Sequence, residues 1–190
     1  MLLNIVGLVS FSQNKTYVPD DNFEAYLEAN GMGDGVANND SVNTSSIRNV
    51  ILLDVSNQNI DSLIGIQDFT ALTQLYCAHN QLSSLDLSQN TALTILKCAY
   101  NQLISLDVSQ NTTLTELDCF FNQLSSLDVT QNTALSELLC NGNQLSSLDV
   151  SQNNALTGLH CHDNQISSLD VSQNTALTGL SCYQNQLSSL

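Results

Sequence analysis

Six cysteines mark this chain at a fixed step: Cys77, Cys98, Cys119, Cys140, Cys161 and Cys182, each 21 residues after the last. Thiols can bridge or hold a metal, but zinc ligands from one chain come in close pairs, about two to four residues apart. Disulfides between neighbouring parallel strands would need strained side chains. The expected state is a column of buried free thiols acting as small hydrophobes. A second column is acidic: Asp86, Asp107, Asp128, Asp149 and Asp170. Like charges stacked about 5 Å apart repel. Either calcium bridges them or each carboxylate bonds to nearby serine hydroxyls and turn amides, and the second is expected because such local bonds are common. His160 and His162, with Asp163 beside them, offer a metal pair. Both histidines face one side of a strand while Cys161 faces the other, and two ligands alone rarely hold a metal. Asp34, Asn38 and Asp40 are spaced like part of a calcium loop, but no bidentate Glu follows at the required distance. Serine is abundant without G-x-S-x-G or another nucleophile signature. The expectation is no enzyme, no cofactor and no bound metal.

The elements that position these residues follow from the period. One unit reads L-x-x-L-x-C-x-x-N-Q-L-S-S-L-D-V-S-Q-N-T-A, with Leu72 to Leu177, Leu75 to Leu180 and Asn80 to Asn185 all stepping by 21. A divergent 22-residue unit precedes them, in which Val50, Leu53, Val55, Ile60 and Leu63 keep the pattern and Gln58 replaces the ladder Asn. One such unit cannot bury its own apolar side, but stacked units can. Alternation in L-x-C is the period of a strand. Successive strands then pair about 4.8 Å apart as a parallel sheet. The run SLDVS alternates too, so a second, weaker extended run is expected there, with Leu169 and Val171 inward and Asp170 outward. The Asn columns, Asn80 to Asn185 and Asn90 to Asn174, are expected to turn inward onto unpaired turn backbone.

This pattern resembles the leucine-rich repeat, with signature L-x-x-L-x-L-x-x-N/C-x-L and Cys in the third leucine's place. The tail of the first unit, GIQDFTAL, is similar to the opening repeats of secreted bacterial leucine-rich repeat proteins, including the internalins. The resemblance implies a right-handed repeat solenoid, a parallel β-sheet on the concave face, mostly β or irregular structure elsewhere, and an N-terminal α-helical cap. The stretch VPDDNFEAYLEANG fits that cap. Asp20 or Asp21 is the N-cap, Phe23, Tyr26 and Leu27 form the apolar face, and Gly31 stops the helix. The domain reading is a signal-peptide-like segment over 1–13, a helical cap and polar loop over 14–49, and repeats over 50–190. The repeats comprise the divergent unit, five complete 21-residue units and one truncated unit.

Composition narrows the partners. Acidic residues number 18 against three basic ones, a net charge of −15, which repels nucleic acid and anionic membrane. The apolar start is too short to span a bilayer and suits a secretory signal core, though basic residues do not precede it. The last unit, with Leu177, Leu180, Cys182 and Leu187, is expected to present an open end through which copies self-associate.

Within one chain the repeats also show where variation is tolerated. Four columns vary. They run Gln74, Ile95, Glu116, Glu137, Gly158, Gly179; Tyr76, Lys97, Asp118, Leu139, His160, Ser181; Ala78, Ala99, Phe120, Asn141, His162, Tyr183; and His79, Tyr100, Phe121, Gly142, Asp163, Gln184. These are the outward strand positions and their edge. Every His, every aromatic after Phe69 and the only basic residue of the repeats fall in them. Neutral drift at exposed sites would favour polar residues, whereas exposed rings mark interaction surfaces. The expected binding face is therefore Tyr76, His79, Lys97, Tyr100, Phe120, Phe121, His160, His162 and Tyr183, contacting a protein or glycan. The resemblance implies a secreted or surface-attached bacterial protein used in adhesion or recognition. The rival readings are a structural spacer without a ligand and a calcium-dependent module.

Overall fold

The structure, a computed structural model, describes residues 14–188. The signal-peptide-like segment over 1–13 lies outside the described residues. Strand β1 (Lys15–Tyr17) pairs antiparallel with β2 (Ser41–Asn43), and helix α1 (Asp21–Ala29) lies between them in sequence. A short helix α2 (Thr44–Ile47) follows. The repeats then supply β3 (Leu52–Asp54), β4 (Gln74–Tyr76), β5 (Ile95–Lys97), β6 (Glu116–Asp118), β7 (Glu137–Leu139), β8 (Gly158–His160) and β9 (Gly179–Ser181). These seven form one parallel sheet in chain order. Register is strict: Leu53, Leu75, Leu96, Leu117, Leu138, Leu159 and Leu180 face one another across it.

Burial explains the fixed columns. Leu75 to Leu159, Cys77 to Cys161, and Leu82 to Ile166 are fully buried, one from each unit at equivalent depth. Every cysteine among the described residues is a free thiol, as the column reading expected. Burial pushes the Cys77 thiol up to about 12. Burial raises Cys98, Cys119, Cys140 and Cys161 likewise, so these five thiols are neutral at physiological pH and pack as small hydrophobes.

Backbone hydrogen bonds continue past the strands. Cys77 N–H donates to the Lys97 carbonyl at 2.8 Å and His79 N–H to the Ala99 carbonyl at 3.0 Å, a pattern repeated unit after unit. There the chain turns inward and the Asn ladder takes over. Asn122 Oδ1 accepts the Leu103 amide at 3.0 Å, while its Nδ2 donates to Cys98 O and Cys119 O at 3.0 and 3.1 Å. One buried side chain thus bridges its own unit and the one before it. The second column bridges at the opposite corner: Asn132 Nδ2 donates to Val108 O and Asn111 O at 3.0 and 2.8 Å. The side-chain Oδ1 atoms of this column make no hydrogen bond within the protein.

The SLDVS run departs in part from expectation. Leu169 is buried, Val171 half-buried and Asp170 exposed, as its alternation requires. No second strand ladder forms, however, among the described residues. The reason is local: Asp170 Oδ1 accepts the Ser172 amide at 2.8 Å, closing a turn that competes with extended pairing. The same bond recurs at Asp86, Asp107, Asp128 and Asp149. The amide and hydroxyl of the residue two further on hold these carboxyls below the usual range. Ionised above about pH 4, the column stabilises its turns, and that contribution is lost only as pH falls further.

Helix α1 docks against the first repeat. Asp20 is its N-cap: Oδ1 accepts the Phe23 amide at 2.9 Å, and Oδ2 accepts the Asp61 and Ser62 amides at 2.8 and 3.0 Å. Phe23 and Leu27 are fully buried, with the Phe23 ring 6.3 Å from Phe69. Asp34 sits in the polar loop after the helix. It pairs with Lys15 and accepts hydrogen bonds from Val36 N and Asn39 Nδ2.

Replacing one ladder residue tests this architecture. Asn122→Ala strands the Leu103 amide in the interior, while the Cys98 and Cys119 carbonyls each keep one donor, Asn101 Nδ2 and Asn143 Nδ2. It should cost about 1–3 kcal/mol for that one orphaned donor. Urea denaturation measures it; a loss within experimental error would show that the ladder is dispensable.

Candidate functional site

Seven of the nine predicted site residues form two ring groups along the sheet's open face and the edge where the strands end, and Tyr76 and Lys97 meet each other separately. The first is a ridge of rings. His79 stacks on Tyr100 at 4.3 Å between centroids, and Tyr100 stacks on Phe121 at 4.9 Å. Phe120 meets both Tyr100 and Phe121 edge-on, at 5.1 and 5.6 Å. The second group is His160, His162 and Tyr183. The two histidine rings are 6.4 Å apart and His162 stacks on Tyr183 at 4.4 Å. Leu139, Asn141 and Gly142 separate the two groups. Both nitrogens of His162 have neighbours: Nδ1 lies 3.1 Å from Ser181 Oγ and Nε2 lies 3.8 Å from Asp163 Oδ2.

The fourth variable column has a backbone signature invisible in its residue types. His79, Tyr100, Phe121, Asp163 and Gln184 all adopt φ between 50° and 56°, and Gly142 has φ 65°. A left-handed conformation costs a residue with a Cβ about 1–2 kcal/mol. Gly142 and, in the first unit, Asn57 meet that requirement with the residue types that suit it. Two aromatic rings and a histidine occupy the position elsewhere against their intrinsic preference. Each is held by its amide: Tyr100 N–H donates to Phe120 O and Phe121 N–H to Asn141 O, both at 3.0 Å.

The variable side chains are also coupled, each to the next unit. The Phe121 ring lies over Gly142, where a Cβ would collide with it. The Glu137 carboxylate lies over Gly158 in the same way and accepts from Thr157 Oγ1 at 3.1 Å. Lys97 Nζ lies 2.7 Å from Glu116 and sits 5.6 Å above the Tyr76 ring. Tyr76 O–H donates to Gln74 Oε1 at 2.9 Å. A large residue in one unit therefore constrains its follower 21 places on.

One residue outside the expected set stands out. Asp118, at the end of β6, has a buried Oδ1 without a hydrogen-bond partner. In register it lies between Lys97 and Leu139. Burial is the largest influence and pushes its carboxyl up to about 6, against the opposing pull of Lys97 and the Phe120 amide. Its position in a variable column was visible in sequence. Its burial was not, because that depends on neighbours 21 residues away on either side.

The sign of this shift gives a test. A folded carboxyl raised above its unfolded value makes the protein less stable as pH rises through about 6, because ionisation must occur in the desolvated site. Asp118→Asn removes that penalty. The variant's stability should exceed that of the unmodified chain at pH 7.5 by about 1 kcal/mol after allowance for partial exposure, and match it at about pH 3, below the unfolded carboxyl's pKa. Equal effects at both pH values, read by thermal denaturation, would contradict the assignment.

No protein-family model matches the chain. Among curated proteins, it is 41% identical to Internalin J of Listeria monocytogenes serotype 4b (strain F2365) over 74 residues, 39% of this chain and 8% of that one. Among solved structures, it is similar to the functional domain of InlJ from Listeria monocytogenes, described as including a cysteine ladder. Identity is 33%, the TM-score is 0.58, and the match covers 93% of this chain and 49% of that one. The chain thus spans about half of that domain and a small fraction of the full Internalin J. The fold is shared further with InlF of Listeria monocytogenes strain 4b F2365, at 20% identity and TM-score 0.72, covering 95% of this chain and 62% of that one. Internalin C2 of the same strain matches at 22% identity and TM-score 0.65, covering 95% of this chain and 92% of that one. The chain shares the leucine-rich repeat solenoid fold of these internalin structures and resembles Internalin J in sequence.

Proposed function

We propose that the chain is a non-enzymatic recognition module whose ligand lies across the open face of the β3–β9 sheet and its aromatic edge. The internalin-like leucine-rich repeat fold supports a protein-interaction scaffold. The observation that carries the site assignment is the ring ridge. Tyr100 and Phe121 are 42% and 45% exposed, stacked in a fixed row, and held in a conformation that rings do not prefer. Rings exposed in such a row supply rigid contact area at small entropy cost. Tyr76, Tyr100, Phe120, Phe121 and Tyr183 provide the apolar contacts; His79, Lys97, His160 and His162 add polar ones.

A protein suits this face better than a glycan. Sugars stack on open ring faces, but here the faces of Tyr100 are covered by His79 and Phe121, and that of Phe121 by Tyr100. Ring edges remain outward, and edges suit the mixed apolar and polar packing of a protein surface. No helix of the described residues is long and apolar enough to cross a membrane. By likeness to the internalins, the working location is the outside of a bacterial cell, secreted or attached. A spacer role leaves the ring row without a task.

Phe120→Ala with Phe121→Ala tests the reading. The chain is screened against an array of secreted and cell-surface proteins, and the double variant is compared on any binder found. Binding should weaken at least ten-fold, since buried aromatic anchors are worth about 2 kcal/mol or more each. A partner that binds the double variant unchanged would remove the ring ridge from the site.

A further inference from the structure

We infer that the partner docks a basic patch, an arginine or lysine flanked by apolar side chains, onto the open sheet face at Glu116, Asp118 and Glu137 beside the ring ridge. The inference rests on the recognition reading and specifies its chemistry.

Glu116 and Glu137 are direct register neighbours on adjacent parallel strands, both half-buried and both facing outward. Facing like charges destabilise a sheet. The inward leucines already fix the register, so the fold has no need of two acids there. The only cation of the repeats, Lys97, is tied to Glu116. Glu137 receives only the Thr157 hydroxyl. Asp118, diagonal to Glu137, keeps a buried oxygen with no donor. A guanidinium or ammonium entering between them supplies that donor and the missing charge. Its charge also offsets the burial penalty that raises the Asp118 carboxyl. The chain's net charge of −15 adds long-range attraction for a basic partner. The other acidic stripe, Asp86 to Asp170, contrasts with this one, because each of its carboxylates already accepts an amide from its own turn.

Three short capped peptides of matched shape, LRWRL, LQWQL and LEWEL, probe the face by NMR titration of the full chain. LRWRL should shift the amides of residues 116–121 and 137–139 and bind at least ten-fold more tightly than LQWQL at low salt. LEWEL should leave them unmoved. Asp118→Asn with Glu137→Gln should reduce LRWRL to the affinity of LQWQL, with the remaining spectrum unchanged as the folding control. Equal binding of all three at these residues would overturn the charge assignment and leave the recognition face standing. Shifts from LRWRL confined to the Asp86–Asp170 stripe would overturn the placement. No shift on the face from any peptide would count against both the inference and the recognition reading.

Discussion

A buried asparagine that spans two units is the interaction on which this molecule depends. A 21-residue turn of chain cannot satisfy its own backbone, because its strand is three residues long and its corners are turns. Asn101, Asn122, Asn143 and Asn164 each accept an amide from the preceding unit and donate to carbonyls of both. Leucine and cysteine columns add apolar burial between the same pairs of units. Stability is therefore a chain of nearest-neighbour terms, as expected of a solenoid. The invariance of the columns is the signature of those terms.

The ladder also decides what the outward residues can do. To bring each Asn inward, the backbone turns left-handed one residue earlier, and that residue is His79, Tyr100 or Phe121. The rings are thus mounted on the ladder's own corner, with their amides bonded to the next unit. Their spacing is the spacing of the sheet, which is why they stack. The residues that vary are not independent choices: Phe121 needs Gly142, Glu137 needs Gly158, and Lys97 is shared between Tyr76 and Glu116. Recognition and scaffold are two sides of one stack.

Much of this is legible in the sequence, because a repeat prints each structural column several times. The parallel sheet, the buried thiols, the inward asparagines and the capping Asp20 all follow from spacing and residue type. The β1–β2 pair was not legible: three-residue strands 26 residues apart, Lys15–Tyr17 and Ser41–Asn43, carry no periodic signal. Nor was the left-handed corner, since only Asn57, Gly142 and Asp163 there have types that announce it. The SLDVS run keeps its alternation but joins no ladder, because an Asp two residues before a Ser closes a turn more readily than it pairs as a strand. Asp118 was visible as a variable residue but not as a half-buried acid with one buried, unpartnered oxygen. Its environment is made by Lys97 and Leu139, which only the 21-residue register brings beside it.

The central claim is that the ring ridge is a rigid part of the ladder rather than a loop hung on it. Amide hydrogen exchange tests it directly. The Tyr100 and Phe121 amides should be as protected as those of Leu103 and Leu124, which the ladder asparagines hold, with all four exchanging only when neighbouring units separate. Rapid exchange at Tyr100 and Phe121 beside slow exchange at Leu103 and Leu124 would show a mobile edge, and the account of a preformed recognition surface would fail.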